Sequence, residues 1–97
     1  MTEEIGPAYL GPSLPEGFVI RRVVVPPGAE RLFVEAEWRD AIVVVESGGL
    51  ELESSTGIRW RFGRGDVLWL IGLPLRALHA SGRTPTVLMA VSRSGKR

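Results

Sequence analysis

Short segments in which apolar and polar residues alternate, separated by turns rich in Gly and Pro, cover most of this chain. Alternation with a period of two is typical of a half-buried β-strand. Regularly spaced short strands indicate an all-β sandwich or barrel, and no segment has a convincing helical period. The predicted strands are FVIRRVVV (18–25), LFVEAEW (32–38), AIVVVE (41–46), LELES (50–54), IRWRF (58–62), VLWLI (67–71), LRALHA (75–80) and TVLMAVSR (86–93).

The hairpin that joins LELES to IRWRF can be predicted residue by residue. We take Ser55-Thr56-Gly57 as a three-residue loop with Gly57 in the left-handed conformation. Opposite charges then pair on one side of the hairpin and bulky apolar groups on the other, and a slip of one residue would bury charges. The predicted pairs are Glu53 with Arg59, Glu51 with Arg61, Leu52 with Trp60 and Leu50 with Phe62.

Two other predicted strands differ in how clearly the sequence distinguishes a buried face from an exposed face. AIVVVE is β-branched and almost wholly apolar, so we predict a strand with limited exposure on either face. LFVEAEW alternates and favours its apolar set as the inward face, with Glu35 and Glu37 in water. That apolar set is Leu32, Val34, Ala36 and Trp38.

The length of 97 residues corresponds to one domain. We expect an extended N-terminal arm (1–17), broken by Pro and Gly, then a β-domain (18–93) and a disordered basic tail (94–97). A chain this short buries only about 60–65% of its unfolded surface, so self-association would help its stability. We therefore predict a homodimer.

Charge and composition exclude several classes of protein. The net charge is +1 and basic and acidic residues are dispersed, so neither nucleic acid nor a membrane surface is expected as a partner. The chain has no cysteine, which excludes disulfides and thiolate metal sites. It shows no signal-type segment and no apolar run of the roughly 20 residues that a membrane span needs, so a cytoplasmic location is expected.

Two ordered motifs and a closing strand give the chain a family resemblance. They are AIVVVESGGLELE (41–53), then GRGDVLWLIGLPLRALHASG (63–82), then TVLMAVSR. With them, the span from about Glu35 to Ser92 resembles the cupin family of small jelly-roll β-barrels. The resemblance implies a single-domain barrel or sandwich of about eight short strands with an extended N-terminal arm.

The residues that would hold a metal in that family are replaced. Counted from Gly48, the usual His-x-His pair and Glu fall on Glu35, Glu37 and Ala41, and counted from Gly65 the third His falls on Arg76. Arginine has no lone pair to donate to a cation. We therefore expect no metal and no cofactor. We expect instead an ion pair of Arg76 with Glu35 or Glu37 inside the barrel. The alignment with the cupin motif thus predicts that both glutamates point inward. The alternation of apolar and polar residues in LFVEAEW predicts that they point outward, and both interpretations stay open.

The candidate pocket follows from that expectation. It consists of Glu35, Glu37, Arg76, Trp60 and Trp69, and a small anionic ligand is possible because a guanidinium suits carboxylate or phosphate. The two tryptophans are otherwise explained as core packing. By strand alternation His79 points away from Arg76, so it is predicted to lie on the outside, while Asp66 is predicted to accept backbone hydrogen bonds in its turn.

Three functions compete on these residues. The first is a metal-free small cupin, either a small-molecule-binding or a dimeric interaction module without catalysis, and a filled interior would favour the second version. The second is a metal-dependent enzyme, such as a dioxygenase or isomerase, with carboxylate ligands Glu35 and Glu37 joined by Asp40 or His79. The third is a metal-free, epimerase-like enzyme with a His–acid couple, ranked last because His79 is predicted to face outward.

Overall fold

Eight antiparallel strands and one helical turn make up the part of the chain that the computed structural model describes, residues 17–93. The all-β prediction is confirmed. The predicted arm (apart from Gly17) and the predicted tail lie outside the described residues. The elements are β1 (Phe18–Val25), β2 (Glu30–Leu32), α1 (Glu35–Trp38), β3 (Ala41–Ser47), β4 (Leu50–Ser54), β5 (Arg59–Phe62), β6 (Val67–Leu68), β7 (Leu75–Ala80) and β8 (Thr86–Arg93).

The strands form two four-stranded sheets. The first sheet has the order β1-β8-β3-β6 and the second has the order β2-β7-β4-β5. Every ladder is antiparallel. Consecutive strands mostly belong to different sheets, so most connections cross from one sheet to the other. The two sheets therefore pack with one face of each toward the other.

The core lies between these inner faces. The first sheet contributes Val43, Val45 and Leu88, and the second contributes Leu50, Leu52 and Leu78, all of them fully buried. Trp38 enters the same core from α1 with none of its surface exposed. Burying an apolar side chain of this size stabilises the fold by about 1.5–3 kcal/mol each. The centre of the molecule is therefore filled by side chains from both sheets.

The β4–β5 hairpin has the predicted register. Glu53 lies opposite Arg59, Glu51 opposite Arg61, and Leu52 opposite Trp60. Gly57 has a φ of 92°, the left-handed conformation that the three-residue loop requires. The Ser54 amide donates to the Ile58 carbonyl at 2.8 Å and closes the loop. The prediction for this hairpin is confirmed, because complementary pairs on both faces allow only one register.

The segment LFVEAEW is a short strand followed by a helical turn, so its prediction as one strand is wrong. β2 ends at Leu32, and α1 covers Glu35–Trp38. The turn delivers Trp38 to the core and leaves Val34 exposed, which alternation alone would not do. Within seven residues a period of two is easily confused with a single helical turn, and Glu and Ala both favour helix.

Two smaller features complete the fold. The predicted strand VLWLI is regular only over Val67–Leu68. Asp66 accepts a hydrogen bond from the Gly63 amide at 2.7 Å, as predicted for its turn.

Among residues 17–93 there is no helix with the length and apolar character that a bilayer crossing requires.

Candidate functional site

A β-bulge in β7 decides where Arg76 points. Ala77 lies opposite Glu53, but Leu75 lies opposite Ser54, so β7 advances two residues while β4 advances one. Arg76 is the extra residue of this bulge, and a bulge changes the face on which the following side chains lie. Its guanidinium reaches Glu53, on the outer face of the second sheet. The prediction that Arg76 points inward is therefore wrong, whereas the outward placement of His79 is confirmed, because His79 contacts the same Glu53.

Arg76 and His79 meet at one carboxylate. Glu53 Oε1 lies 2.6 Å from Arg76 Nη2 and 2.9 Å from His79 Nε2. Arg76 Nη2 also donates to Glu30 on β2. We call the wider group the outer ion-pair network. It consists of Glu30, Glu51, Glu53, Arg59, Arg61, Arg76 and His79.

The hydrogen bonds of the network stabilise the charged forms of Glu53 and Arg76. The Arg76 hydrogen bond, followed by that of His79, lowers the pKa of Glu53 from 4.5 to about 2. The hydrogen bonds that Arg76 donates to Glu53 and Glu30 raise its own pKa still further above the ordinary value. A carboxylate with so low a pKa is a poor general base near neutral pH, and a guanidinium is a poor general acid. Neither Glu53 nor Arg76 is therefore suited to exchange a proton near neutral pH.

Three members of the network could in principle hold a metal. Ligand atoms of Glu30, Glu53 and His79 all lie within 4.8 Å of one another, and two carboxylates with an imidazole are suitable donors for a divalent transition metal. Both carboxylates are, however, hydrogen-bonded to Arg76. A cation there would have to displace a guanidinium and would be repelled by it. The cluster therefore fits Arg76 better than a metal.

The five candidate pocket residues lie on different parts of the structure. Glu35 is exposed, and Glu37 is half-buried with its carboxylate 2.8 Å from Arg31 Nη2. Among the described residues Arg76 is paired with Glu30 and Glu53, so the predicted pair with Glu35 or Glu37 is not formed.

The two tryptophans are also separated from Arg76. Trp60 lies opposite Leu52 on the core-facing side of the edge strand β5, the opposite face of the second sheet from Arg76. Trp69 follows β6 and is about half exposed. Neither is fully buried, so neither is simple core packing. A role for any of the five residues in ligand binding stays a prediction.

The outer face of the first sheet has the opposite character. The residues opposite one another on this side are almost all apolar. The exposed fraction is 63% for Val67, 55% for Val24 and 48% for Ile42. The prediction that AIVVVE has limited exposure on either face is confirmed for five of its six residues, and Ile42 is the exception. We call this surface the apolar outer face, formed by Ile20, Val24, Ile42, Val44, Val67, Val87, Met89 and Val91. Val24, Ile42 and Val67 are its exposed members, Met89 is buried, and the other four are half-buried.

One ion pair interrupts the apolar outer face. Arg22 Nε lies 2.8 Å from Glu46 Oε1. Because the two charges are opposite and in contact, the pair adds no net charge to the surface. Arg93 lies opposite Phe18 on the same side and is exposed. The face therefore combines exposed apolar side chains with few charges, in contrast to the charged network on the second sheet.

Comparison with known proteins does not assign the chain to a family. No protein-family model matches the sequence, and no curated protein matches it at a significant level. The function has to be inferred from the geometry of the molecule itself.

Proposed function

We propose that this chain is a metal-free small cupin that works as a homodimeric interaction module, without catalysis of its own. The pairing of the strands supports a jelly roll: β1 pairs with β8, β2 with β7, β3 with β6 and β4 with β5. This is the order produced when one long hairpin is rolled into two sheets of four strands, as in jelly rolls. The two sequence motifs that resemble cupins agree with it.

The filled interior favours an interaction module over a ligand carrier. The central residues Val43, Leu50 and Leu78 have no exposed surface, and Trp38 packs among them. Barrels that carry a small molecule keep a cavity lined by side chains. A ligand held at the centre of this core would have to displace buried apolar groups.

The apolar outer face is the observation that carries the proposal. Sheets that are covered on both sides are built from strands that are apolar on both faces, and β1, β3 and β8 have this composition. Exposed apolar side chains grouped on one face of a sheet, such as Val24, Ile42 and Val67, mark an interaction site. Four strands of up to eight residues offer a face of about 500 Å², against about 800 Å² per partner in a standard interface. We therefore expect a dimer of moderate affinity.

A second copy of the chain is the occupant that suits this face. Apart from the Arg22–Glu46 pair and Arg93 at one end, the described surface is apolar, so two copies related by a twofold axis can pack face to face with few opposing charges. The outer ion-pair network would instead lose hydration on docking, which opposes burial of that face. The two outer faces therefore predict which sheet forms the interface.

Analytical ultracentrifugation across protein concentrations tests the dimer and its location. We compare wild type with Ile42→Lys, and use Leu32→Lys as the matched control because Leu32 is also exposed, but on the second sheet. A charge buried at an apolar interface is expected to weaken association by about 30-fold or more, corresponding to about 2 kcal/mol. The control should associate like wild type. A monomeric wild type, or equal weakening by both variants, would contradict the proposal.

Elemental analysis separates this function from the metal-enzyme alternative. Protein purified without chelators is expected to contain no stoichiometric transition metal. A stoichiometric metal that is lost in Glu30→Gln combined with Glu53→Gln would place it at the network. A metal lost instead in Glu35→Ala combined with Glu37→Ala would restore the ligand set expected from the sequence.

A further inference from the structure

Two arginines point into the space between the sheets. Arg21 of β1 lies opposite Ala90, and Arg31 of β2 lies opposite Leu78. Both opposing residues are buried core members, so the register turns both arginines toward the inside. Because β1 and β2 are edge strands of different sheets, one guanidinium comes from each sheet.

The two arginines converge on the last residues of α1. Arg21 Nη2 donates to the Glu37 carbonyl oxygen at 2.5 Å, and Arg31 Nη2 lies 2.8 Å from the Glu37 carboxylate. The guanidinium carbon of Arg21 lies 5.1 Å from the centroid of the Trp38 ring, within range of a cation–π contact. We call these four residues the arginine–tryptophan cluster: Arg21, Arg31, Glu37 and Trp38.

Two buried N–H donors of the cluster have no acceptor. Within residues 17–93, neither Trp38 Nε1 nor Arg31 Nε has a hydrogen-bond partner, although both atoms are buried. Trp38 itself has no exposed surface. More than about 90% of buried polar groups in proteins are hydrogen-bonded, and an unpaired one lowers stability. The two donors are linked through Glu37, which pairs with Arg31 and directly precedes Trp38 in the chain, and two unpaired donors in one cluster indicate that an acceptor binds there.

The charges of the cluster indicate that this acceptor is an anion. Arg31 is matched by Glu37, whereas Arg21 contacts a carbonyl and a ring and has no carboxylate partner among the described residues. The cluster therefore carries one uncompensated positive charge. A monoanion balances it, while a dianion such as phosphate would leave excess negative charge next to Glu37.

We propose that the arginine–tryptophan cluster binds a small monocarboxylate. Its oxygens accept hydrogen bonds from Trp38 Nε1 and Arg31 Nε, and Arg21 compensates its charge. Carboxylates match the planar donor groups of arginine. The ligand is small because the neighbouring core is filled. Both donor atoms are buried, so Arg31, whose side chain is 36% exposed, has to move to admit it. This site lies at one end of the core and does not depend on the homodimer.

Acetate is the probe that tests the site. The protein has three tryptophans, so its indole N–H groups give three NMR signals that single Trp→Phe variants assign. Titration with sodium acetate is expected to shift the Trp38 indole proton downfield in a saturable way. The Trp60 and Trp69 signals should stay in place. Sodium phosphate at the same ionic strength should shift Trp38 less, and sodium chloride should not shift it.

Variants test the two donors separately. Arg31→Lys keeps the charge but removes Nε, and Trp38→Phe keeps an aromatic ring but removes the indole donor. Each is expected to weaken acetate binding by about tenfold, as loss of one hydrogen bond to a charged group would. Acetate binding to Trp38→Phe and Arg31→Lys is followed by isothermal titration calorimetry, and Trp60→Phe is the matched control. Because Trp38→Phe can also disturb the core, Arg31→Lys gives the decisive comparison.

Three results would overturn the proposal. The first is a Trp38 signal that does not move with acetate up to about 100 mM, the range of very weak binding. The second is an equal response to chloride, which would be a general salt effect. The third is an undiminished acetate affinity in Arg31→Lys.

Discussion

The outer faces of the two sheets differ although their inner faces are alike. The second sheet carries the outer ion-pair network, in which Glu53 joins Arg76 and His79. The first sheet carries the apolar outer face, where Val67 and Ile42 are exposed. Both inner faces contribute fully buried aliphatic side chains to one core. Within the described residues, the charges of one outer face are paired with one another, whereas the other outer face leaves apolar side chains exposed.

The difference can be traced to two patterns in the sequence. LELES and RWRF place glutamates and arginines in every second position, so their outer face is polar and its charges pair within the chain. AIVVVE and TVLMAVSR place apolar residues in both phases. Strands of the second kind are expected where both faces are covered. The homodimer proposed above would cover the outer face of the first sheet and would account for both its composition and its exposure.

The largest expected effect is a loss of stability, and it distinguishes the inner face of the second sheet from its outer face. Leu78→Ala should lower the free energy of unfolding by about 2–5 kcal/mol, because it leaves a cavity in the shared core. Leu32→Ala, on the outer face of the same sheet, should change it by less than about 0.5 kcal/mol. Urea denaturation of both variants at one protein concentration measures the difference. Equal losses would show that the assigned faces are wrong.

Acid titration tests the charged face next. Glu53 has a pKa of about 2 in the folded protein and 4.5 ordinarily, because Arg76 and then His79 hydrogen-bond to its charged form. A pKa lowered by folding contributes stability that is complete above about pH 4.5 and is lost as the pH falls toward 2. Glu53→Gln should therefore flatten the decline of stability between pH 4.5 and 2, measured by urea denaturation at each pH.

Glu35→Gln is the control for this titration. Glu35 is exposed and forms no ion pair with any residue in the described range. Its variant should keep the wild-type decline in acid. If Glu53→Gln declines as steeply as wild type, the hydrogen bonds of the network do not stabilise the fold.

The smallest expected effect is that of sodium chloride on the dimer dissociation constant. Exposed ion pairs are screened at high ionic strength, whereas apolar association is not weakened by it. Raising sodium chloride from about 0.1 to about 1 M should therefore leave the dimer dissociation constant within about threefold, or lower it. Sedimentation at both salt concentrations measures this. A dimer that dissociates at high salt would move the interface to the ion-pair network.

The sequence predicts parts of the fold where two faces constrain a strand at once. The β4–β5 register follows from its charge and apolar pairs together. The position of Arg76 does not, because a bulge adds one residue and inverts the alternation, and no local signal marks it. Glu30 was missed as a partner of Arg76 because it precedes the predicted strand, and only the fold brings β2 beside β7.

The arginine–tryptophan cluster had a weak signal that sequence reasoning did not use. In FVIRRVVV, Arg21 shares its phase with Val23 and Val25, which are buried. A charged residue in the apolar phase of a strand predicts a polar partner inside. Its contact with Trp38 could not be predicted, because it depends on the helical turn that replaces the end of the LFVEAEW strand.

Contacts between chains across the apolar outer face test the central claim most directly. A sample that mixes ¹³C-labelled and unlabelled protein gives isotope-filtered NOEs only between copies, so contacts made within one chain are removed. The account predicts intermolecular NOEs to the methyl groups of Ile42, Val44, Val67 and Val91, and none to Leu32. Intermolecular NOEs confined to Leu32 and its neighbours on the second sheet, or none at a concentration where the protein is dimeric by sedimentation, would contradict it.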